Sequence, residues 1–107
     1  QTSDVDDPVT GPAVPAAFGF HQNAPNPFNP QTTIRFDLSE PARVTMKIFD
    51  VSGSLVTTLV DEPYPAGFHQ AVWRGRDDQG RAMPSGMYFY RITTGQNVET
   101  RGMMLIK

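Results

Sequence analysis

The stretch TTIRFDL, residues 32–38, decides the fold class because apolar and polar side chains alternate along it. Ile34, Phe36 and Leu38 occupy every second position, and Thr, Arg and Asp fill the positions between them. Successive side chains of a β-strand point to opposite faces, so this alternation places one face against a core and the other in water. The stretch therefore predicts a half-buried strand.

The same period of two recurs further along the chain. Val44, Met46 and Ile48 alternate with polar residues, although Phe49 interrupts the polar side. Further strands are predicted at residues 55–60, 68–73, 87–94 and 97–106, with a weaker one at 18–20. No stretch of ten residues carries the 3.6-residue period of a capped helix. Six or seven short strands without a helix predict an all-β sandwich.

Turn chemistry separates the predicted strands. Residues 50–53 (DVSG) and 77–80 (DDQG) each begin with an aspartate that can cap backbone amides and end with a glycine that tolerates positive φ. The residues expected to form these two turns are Asp50, Gly53, Asp77 and Gly80. Gly95-Gln96 favours a type II′ hairpin, because Gly comes first in a two-residue loop. The segment PYPAG, residues 63–67, predicts a longer connection.

The chain of 107 residues has room for one domain. Residues 1–17 (QTSDVDDPVTGPAVPAA) contain Val as their only large apolar type and are rich in Pro, Ala, Asp and Thr. Such a composition does not offset the entropy of ordering, so we expect an extended linker from an upstream cargo domain. The folded domain is then residues 18–107.

Charge and residue usage argue against several classes of function. The net charge is −2 and the nine Lys and Arg are scattered singly, which argues against nucleic-acid binding. Cysteine is absent, and His21 and His69 stand alone, without metal-ligand spacing to other donors. No apolar run reaches the length of a membrane span. We therefore expect no enzyme activity, no catalytic residue, no metal and no cofactor.

Four aromatic residues raise the alternative of a carbohydrate-binding module. Exposed Trp and Tyr rings serve such modules as stacking platforms, and Trp73, Tyr88, Phe89 and Tyr90 could supply one. A lone Trp in a small sandwich more often anchors the core, and alternation sends Phe89 to the face opposite both tyrosines. The core interpretation is favoured.

The segment NAPNPFNP, residues 23–30, followed by TTIRF, is the most specific part of the chain. It resembles the opening of the type A C-terminal sorting domain of the type IX secretion system, also described as a hook-capping-protein (FlgD)-like immunoglobulin domain. We refer to residues 23–30 as the Asn-Pro motif. Its functional residues by this resemblance are Asn23, Pro25, Asn26, Pro27, Phe28, Asn29 and Pro30. Further blocks are similar, in order, at residues 44–59, 66–69, 72–81, 85–92 and 101–107.

The resemblance covers roughly residues 20–107 and implies an immunoglobulin-like sandwich of about seven antiparallel strands. It also implies a mechanism of addressing: the type IX machinery recognises the folded domain in the periplasm and passes the cargo through the outer membrane. A sortase-like peptidase then cuts in or near residues 1–22, and the cargo is attached to the surface or released. The sorting signal implied by the resemblance is Arg101, Gly102, Met103, Met104, Leu105, Ile106 and Lys107.

The sequence departs from the pattern of that family at three positions. Ser54 replaces a common Arg, Arg74 a common Asp or Asn, and Gly102 a common Lys. Gly102 matters most, because glycine weakens a strand and removes a charge from the expected signal. A passive immunoglobulin-like spacer or assembly domain, as in hook-cap scaffolding, is the alternative function on the same fold.

Overall fold

The computed structural model of the chain describes residues 14–107. Seven strands form two antiparallel sheets, and no helix occurs between residues 14 and 107. The strands are β1 (Gly19–Phe20), β2 (Thr32–Leu38), β3 (Ala42–Asp50), β4 (Leu55–Tyr64), β5 (Gly67–Trp73), β6 (Gly86–Thr93) and β7 (Val98–Leu105). The expected all-β, immunoglobulin-like sandwich is confirmed. Residues 1–13 of the expected linker lie outside the described part of the chain.

The strand order fixes which segments become neighbours. One sheet runs β1-β2-β5, and the other runs β4-β3-β6-β7. In the second sheet β3 pairs with β6, which is three strands later in the chain, and β6 pairs with the last strand, β7. The order leaves β4 and β7 as the two edges of the four-stranded sheet.

The two sheets enclose one hydrophobic core. The alternating positions predicted from the sequence supply it: Ile34 and Phe36 from β2 face Val44, Met46 and Ile48 from β3, all without measurable exposure. Each large apolar side chain buried in this way stabilises the fold by about 1.5–3 kcal/mol. The core is therefore built from the faces that the period of two assigned to it.

Three of the four aromatic residues considered for a sugar platform occupy the core, as the favoured interpretation requires. Trp73, Tyr88 and Tyr90 are buried, whereas Phe89 points out from the opposite face of β6. The Trp73 and Tyr88 rings meet edge to face with centroids 5.2 Å apart. His69 lies at the rim of the sandwich, half-buried against the rings of Phe36 and Tyr64. The buried rings form no planar row open to a sugar.

Two predictions of local structure are wrong. β4 does not end at residue 60 but continues through Pro63 to Tyr64, where the sequence predicts a connection. An edge strand tolerates proline because one side of its backbone has no ladder partner. The turn at Gly95-Gln96 forms, with Thr94 N–H bonded to Asn97 O at 2.8 Å. It is not type II′, because Gly95 is not among the glycines with positive φ.

The edge formed by β4 is irregular and charged. Its pairing with β3 shifts register twice, between Met46 and Lys47 and between Ile48 and Phe49. Asp61, Glu62 and Pro63 follow one another near its end. Bulges, charges and proline all hinder the addition of another strand. The β4 edge is thus protected against pairing, which directs attention to β7 at the other edge.

Candidate recognition site at the β7 edge

The Asn-Pro motif and the expected sorting signal meet along the outer edge of β7. Phe28 N–H donates to Met104 O, and Ile106 N–H donates to Phe28 O, both at 2.9 Å. The two bonds form a parallel β-bridge between Phe28 and Leu105. The Asn26 side chain adds a third bond, because its Oδ1 accepts from Met104 N–H at 3.0 Å. Two residue sets far apart in the sequence therefore form one structural unit.

These contacts close one half of the β7 edge and leave the other half open. Met104 directs its N–H and C=O away from β6, and alternate residues of a strand share that direction, so Gly102, Thr100 and Val98 do too. Gly102 O accepts from the Gln22 side chain at 2.8 Å. Among the described residues, the outward backbone groups of Thr100 and Val98 have no backbone partner. Backbone groups that are free to pair with a further strand are thus confined, within residues 14–107, to the first half of β7 on this edge.

The seven expected signal residues divide into internal and surface positions. Met103 and Leu105 are buried core residues. Arg101 points back toward β1, where its guanidinium donates to Phe20 O at 2.9 Å and lies 5.7 Å from the centre of the Phe20 ring. The remaining four, which reach the surface at least in part, are Gly102, Met104, Ile106 and Lys107.

Arg101 also carries the one buried side-chain polar atom without a hydrogen bond within residues 14–107, its Nε. The other guanidinium contacts fasten β7 to β1 across the sandwich. Arg101 therefore has a structural role in holding β7 against β1. The sequence alone could not indicate this contact, because β1 and β7 lie far apart in the chain.

The Asn-Pro motif is anchored at both ends. Phe28 is 2% exposed and its ring lies 5.6 Å from that of Trp73. Asn23 N–H donates to Tyr90 Oη at 2.8 Å, and Tyr90 Oη donates to His21 O at 3.0 Å. Burial raises the pKa of Tyr90, so the phenol keeps the proton that this second bond requires. The expected core anchor at Phe28 is confirmed.

The two Asp-Gly turns lie apart from this site and act locally. Asp50 Oδ1 accepts from Ser52 N–H at 2.9 Å and from Ser54 N–H at 3.0 Å. Asp77 Oδ1 accepts from the amides of Gln79 and Arg81 at 3.0 and 2.9 Å. Hydrogen bonds to each carboxylate lower its pKa, the Ser52 hydroxyl contributing most at Asp50 and the Arg81 amide most at Asp77. Gly53 and Gly80 have φ of 88° and 79°, as expected.

A basic groove adjoins the Asn-Pro motif. Its volume is about 280 Å³, and Asn29, Pro30, Arg74, Arg76, Leu105 and Lys107 are among its lining residues. Sequence reasoning missed the two arginines as neighbours of the signal, because they follow β5 and approach β7 only after the sheets have packed.

Within residues 14–107, no three His, Asp or Glu side chains are placed to hold a metal ion. No helix of that region is long and apolar enough to span a membrane.

Two antiparallel sheets with buried Trp and Tyr rings, closed by a bridge between the Asn-Pro motif and the last strand, define an immunoglobulin-like domain. Residues 23–97 match the FlgD Ig-like domain family, and the chain belongs to that family. The match includes β2 to β6 and ends immediately before β7.

Two relatives agree with this placement. The basal-body rod modification protein FlgD of Salmonella typhimurium (strain LT2) is 36% identical over 63 residues, which is 58% of this chain and 27% of that protein; FlgD of Salmonella typhi matches equally. The chain thus spans about a quarter of the length of these relatives.

Three solved structures share the fold. Dimeric latent PorU from Porphyromonas gingivalis gives a TM-score of 0.66 at 18% identity over 81% of this chain and 9% of its own. PorZ, described as an essential surface component of the type-IX secretion system of the same bacterium, gives 0.58 at 20% identity, covering 83% and 12%. FlgD from P. aeruginosa gives 0.55 at 24% identity, covering 69% and 57%.

Proposed function

We propose that this domain is a non-catalytic sorting signal that directs an exported cargo protein to the type IX secretion system. In this proposal the outer-membrane translocon and its shuttle bind the folded domain in the periplasm, and the cargo ends on the cell surface or is released. The observation that carries the proposal is the fold shared with PorZ, a surface component of that system. The exposed Ile106 and Lys107, placed beside the Asn-Pro motif, supply a surface to be recognised.

The expected signal contains both core and surface residues, so the experiment should change only the surface residues. Deleting residues 103–107 would remove two core side chains as well as the signal, so surface substitutions are preferable. The complete 107-residue chain is fused to a periplasmic reporter in a host with a type IX system, and surface reporter is measured by protease accessibility. The pair Ile106→Glu and Lys107→Glu should leave the reporter in the periplasm, because both residues are exposed and neither belongs to the core.

Phe68→Glu is the matched control. Phe68 is 59% exposed and lies on β5, in the sheet that does not contain β7. Its reporter should reach the surface as the parent fusion does. Normal surface display of the Ile106 and Lys107 variant would refute the assigned signal.

The proposal also includes cleavage by a sortase-like peptidase in or near residues 1–22. β1 begins at Gly19, and His21 N–H bonds to Arg35 O at 3.1 Å. A cut after Gly19 would break β1 from the sheet, so we expect the bond to lie before it. Mass spectrometry of the released domain in the growth medium would identify the new terminus.

Similarity to FlgD favours a second function, that of an assembly or spacer domain. The 36% identity to the Salmonella protein is the observation behind it. In that case the fusion remains periplasmic with or without the substitutions at Ile106 and Lys107. A parent fusion that reaches the surface would instead reject this alternative.

A further inference from the structure

The outward side of the four-stranded sheet, turned away from the core, carries two cationic residues at directly opposite positions of neighbouring strands. Lys47 on β3 and Arg91 on β6 are register partners and share this outer face. Like charges opposite one another in a sheet are destabilising. The next strands outward supply only hydroxyls, from Thr58 beside Lys47 and Thr100 beside Arg91. The fold keeps a repulsive pair at the centre of a solvent-facing surface.

No carboxylate of residues 14–107 forms an ion pair with either cation. Asp61, the register partner of Thr45 on this face, is held by Arg43 Nε at 3.1 Å and by the Thr45 hydroxyl at 3.3 Å. The positive charge of the central row is therefore uncompensated within the described part of the chain.

Apolar side chains continue from the charged row toward the end of the sheet. Phe49, Phe89 and Gly102 are neighbours across β3, β6 and β7, and Leu55 extends the row onto β4. Met87 and Met104 form a second apolar pair beside it. The Arg91 guanidinium lies 4.6 Å from the centre of the Phe49 ring, where charge and apolar surface join. We call this set, with Lys47 and Arg91, the outer-face patch.

The absence of a side chain at Gly102 lets neighbouring side chains of the patch lie close to the β7 backbone. A methyl group at that position would stand 3.2 Å from Met87 Cε and 3.4 Å from Phe89 Cε1, so the two side chains lie over the glycine. Leu55 is 49% exposed and Met87 37% exposed, although both adjoin other apolar groups. Contiguous exposed apolar surface is typical of sites at which proteins interact.

We propose that the outer-face patch docks a protein segment that carries both apolar and acidic side chains. A carboxylate of that segment lies between Lys47 and Arg91, and its apolar side chains cover Phe49, Phe89 and Met87. The proposal rests on the sorting function and identifies the chemistry of the partner in the secretion machinery. The patch includes Gly102 and Met104, so it is continuous with the expected signal.

Charge decides against the other occupants. A second copy related by a twofold axis would bring the same surface to the interface, and that surface offers no carboxylate to pair with Lys47 and Arg91. Recognition of an anionic membrane generally uses clusters of about four to eight Lys and Arg, against the two present here. An acidic protein segment with apolar side chains can pair with the two cations and also cover the apolar side chains of the patch.

The test uses the reporter fusion with Lys47→Glu as its principal variant. The new carboxylate faces Arg91 and replaces a repulsion by an attraction, so the melting temperature of the purified 107-residue protein should rise by about 2–4 °C. Surface display of the reporter should nevertheless fall at least about tenfold, because the partner carboxylate now meets a negative charge. A more stable protein that is exported less cannot be explained by misfolding.

Arg91→Lys, Arg91→Gln and Met87→Glu complete the series. Export should be retained by Arg91→Lys and reduced by the other two, whereas Phe68→Glu on the outer side of the opposite sheet should export normally. Normal export of Lys47→Glu and Met87→Glu overturns this inference, and if Ile106→Glu with Lys107→Glu still blocks export, the sorting function stands. Normal export of every variant overturns both. Equal loss in Lys47→Glu and Phe68→Glu also overturns the inference, because the effect would not be specific to the patch.

Discussion

Phe28 and Leu105 lie side by side as a parallel β-bridge that ties the Asn-Pro motif to the last strand. Both side chains are buried in the core, and the backbone of Phe28 bonds to the residues on either side of Leu105. The bridge helps to explain why a proline-rich segment with few donors is held firmly: the amide and carbonyl groups of Phe28 bond to β7, and those of Ala24 bond to Thr33 on β2.

Replacing Phe28 with alanine should destabilise the domain by about 3–5 kcal/mol, because the cavity would open at the centre of this contact. Urea unfolding followed by Trp73 fluorescence measures the loss. Phe68→Ala is the control, since Phe68 is 59% exposed and its removal should change the free energy of unfolding by no more than about 0.5 kcal/mol. Similar losses in both variants would contradict the assigned anchor.

Asn26→Ala should release one end of the bridge without disturbing the core. Its Oδ1 accepts from Met104 N–H, and the loss of such a bond costs about 0.5–1.5 kcal/mol. Hydrogen exchange of the Met104 amide should accelerate, while the amide of Met103 on the inner side stays protected. Asn29→Ala is the control, because the Asn29 side chain forms no hydrogen bond within residues 14–107. Unchanged exchange at Met104 would argue against the bond.

Two glycines with similar backbone angles should differ in their tolerance of alanine. Gly75 and Gly80 have φ of 70° and 79°, a region that costs an L-residue about 1–2 kcal/mol. A methyl group at Gly80 meets nothing within 4 Å, whereas one at Gly75 stands 3.1 Å from Pro30 O. Gly75→Ala should therefore unfold at a lower urea concentration than Gly80→Ala. Equal urea midpoints would mean that the backbone at Pro30 moves away from the added methyl group without a loss of stability.

Acid should weaken the fold through its two turns. The pKa values of Asp50 and Asp77 are lowered from 3.8 by hydrogen bonds that exist only in the folded state. Their contribution is complete above pH 3.8 and is lost as the pH falls through the lower folded values. The urea midpoint should decline below about pH 4, and Asp50→Asn with Asp77→Asn should reduce that decline. An unaltered pH profile in the double variant would assign acid sensitivity elsewhere.

Local patterns predicted most of the strands because each strand has one wet and one buried face. The two-residue spacing of Ile34 and Phe36 indicates this arrangement directly, and the burial of Trp73 could be predicted from its large apolar ring. Pro63 misled, because proline excludes a central strand but not an edge strand, and edge position depends on the order of the whole sheet. The predicted type II′ turn at Gly95 was wrong for a similar reason. The hydrogen bonds of the surrounding turn, and not the residue type alone, determine the backbone angles of Gly95.

The candidate site was less predictable than the fold. Phe28 could be recognised as a core anchor, but its bridge to Leu105 joins distant parts of the sequence. The Lys47–Arg91 opposition depends on β3 pairing with β6, which no local pattern records. Residues that meet only through strand order are invisible to periodicity, and both proposed recognition surfaces are of this kind.

The bridge from Phe28 to β7 also sets the order of events during synthesis. A nascent chain that stops before Met103 lacks the carbonyl and amide groups that hold Phe28, and it lacks two side chains of the core. The sandwich therefore closes only after β7 and Ile106 have been synthesised. A chain cut short before Met103 would present an open, incompletely folded domain, so the completed fold reports that synthesis has passed this strand.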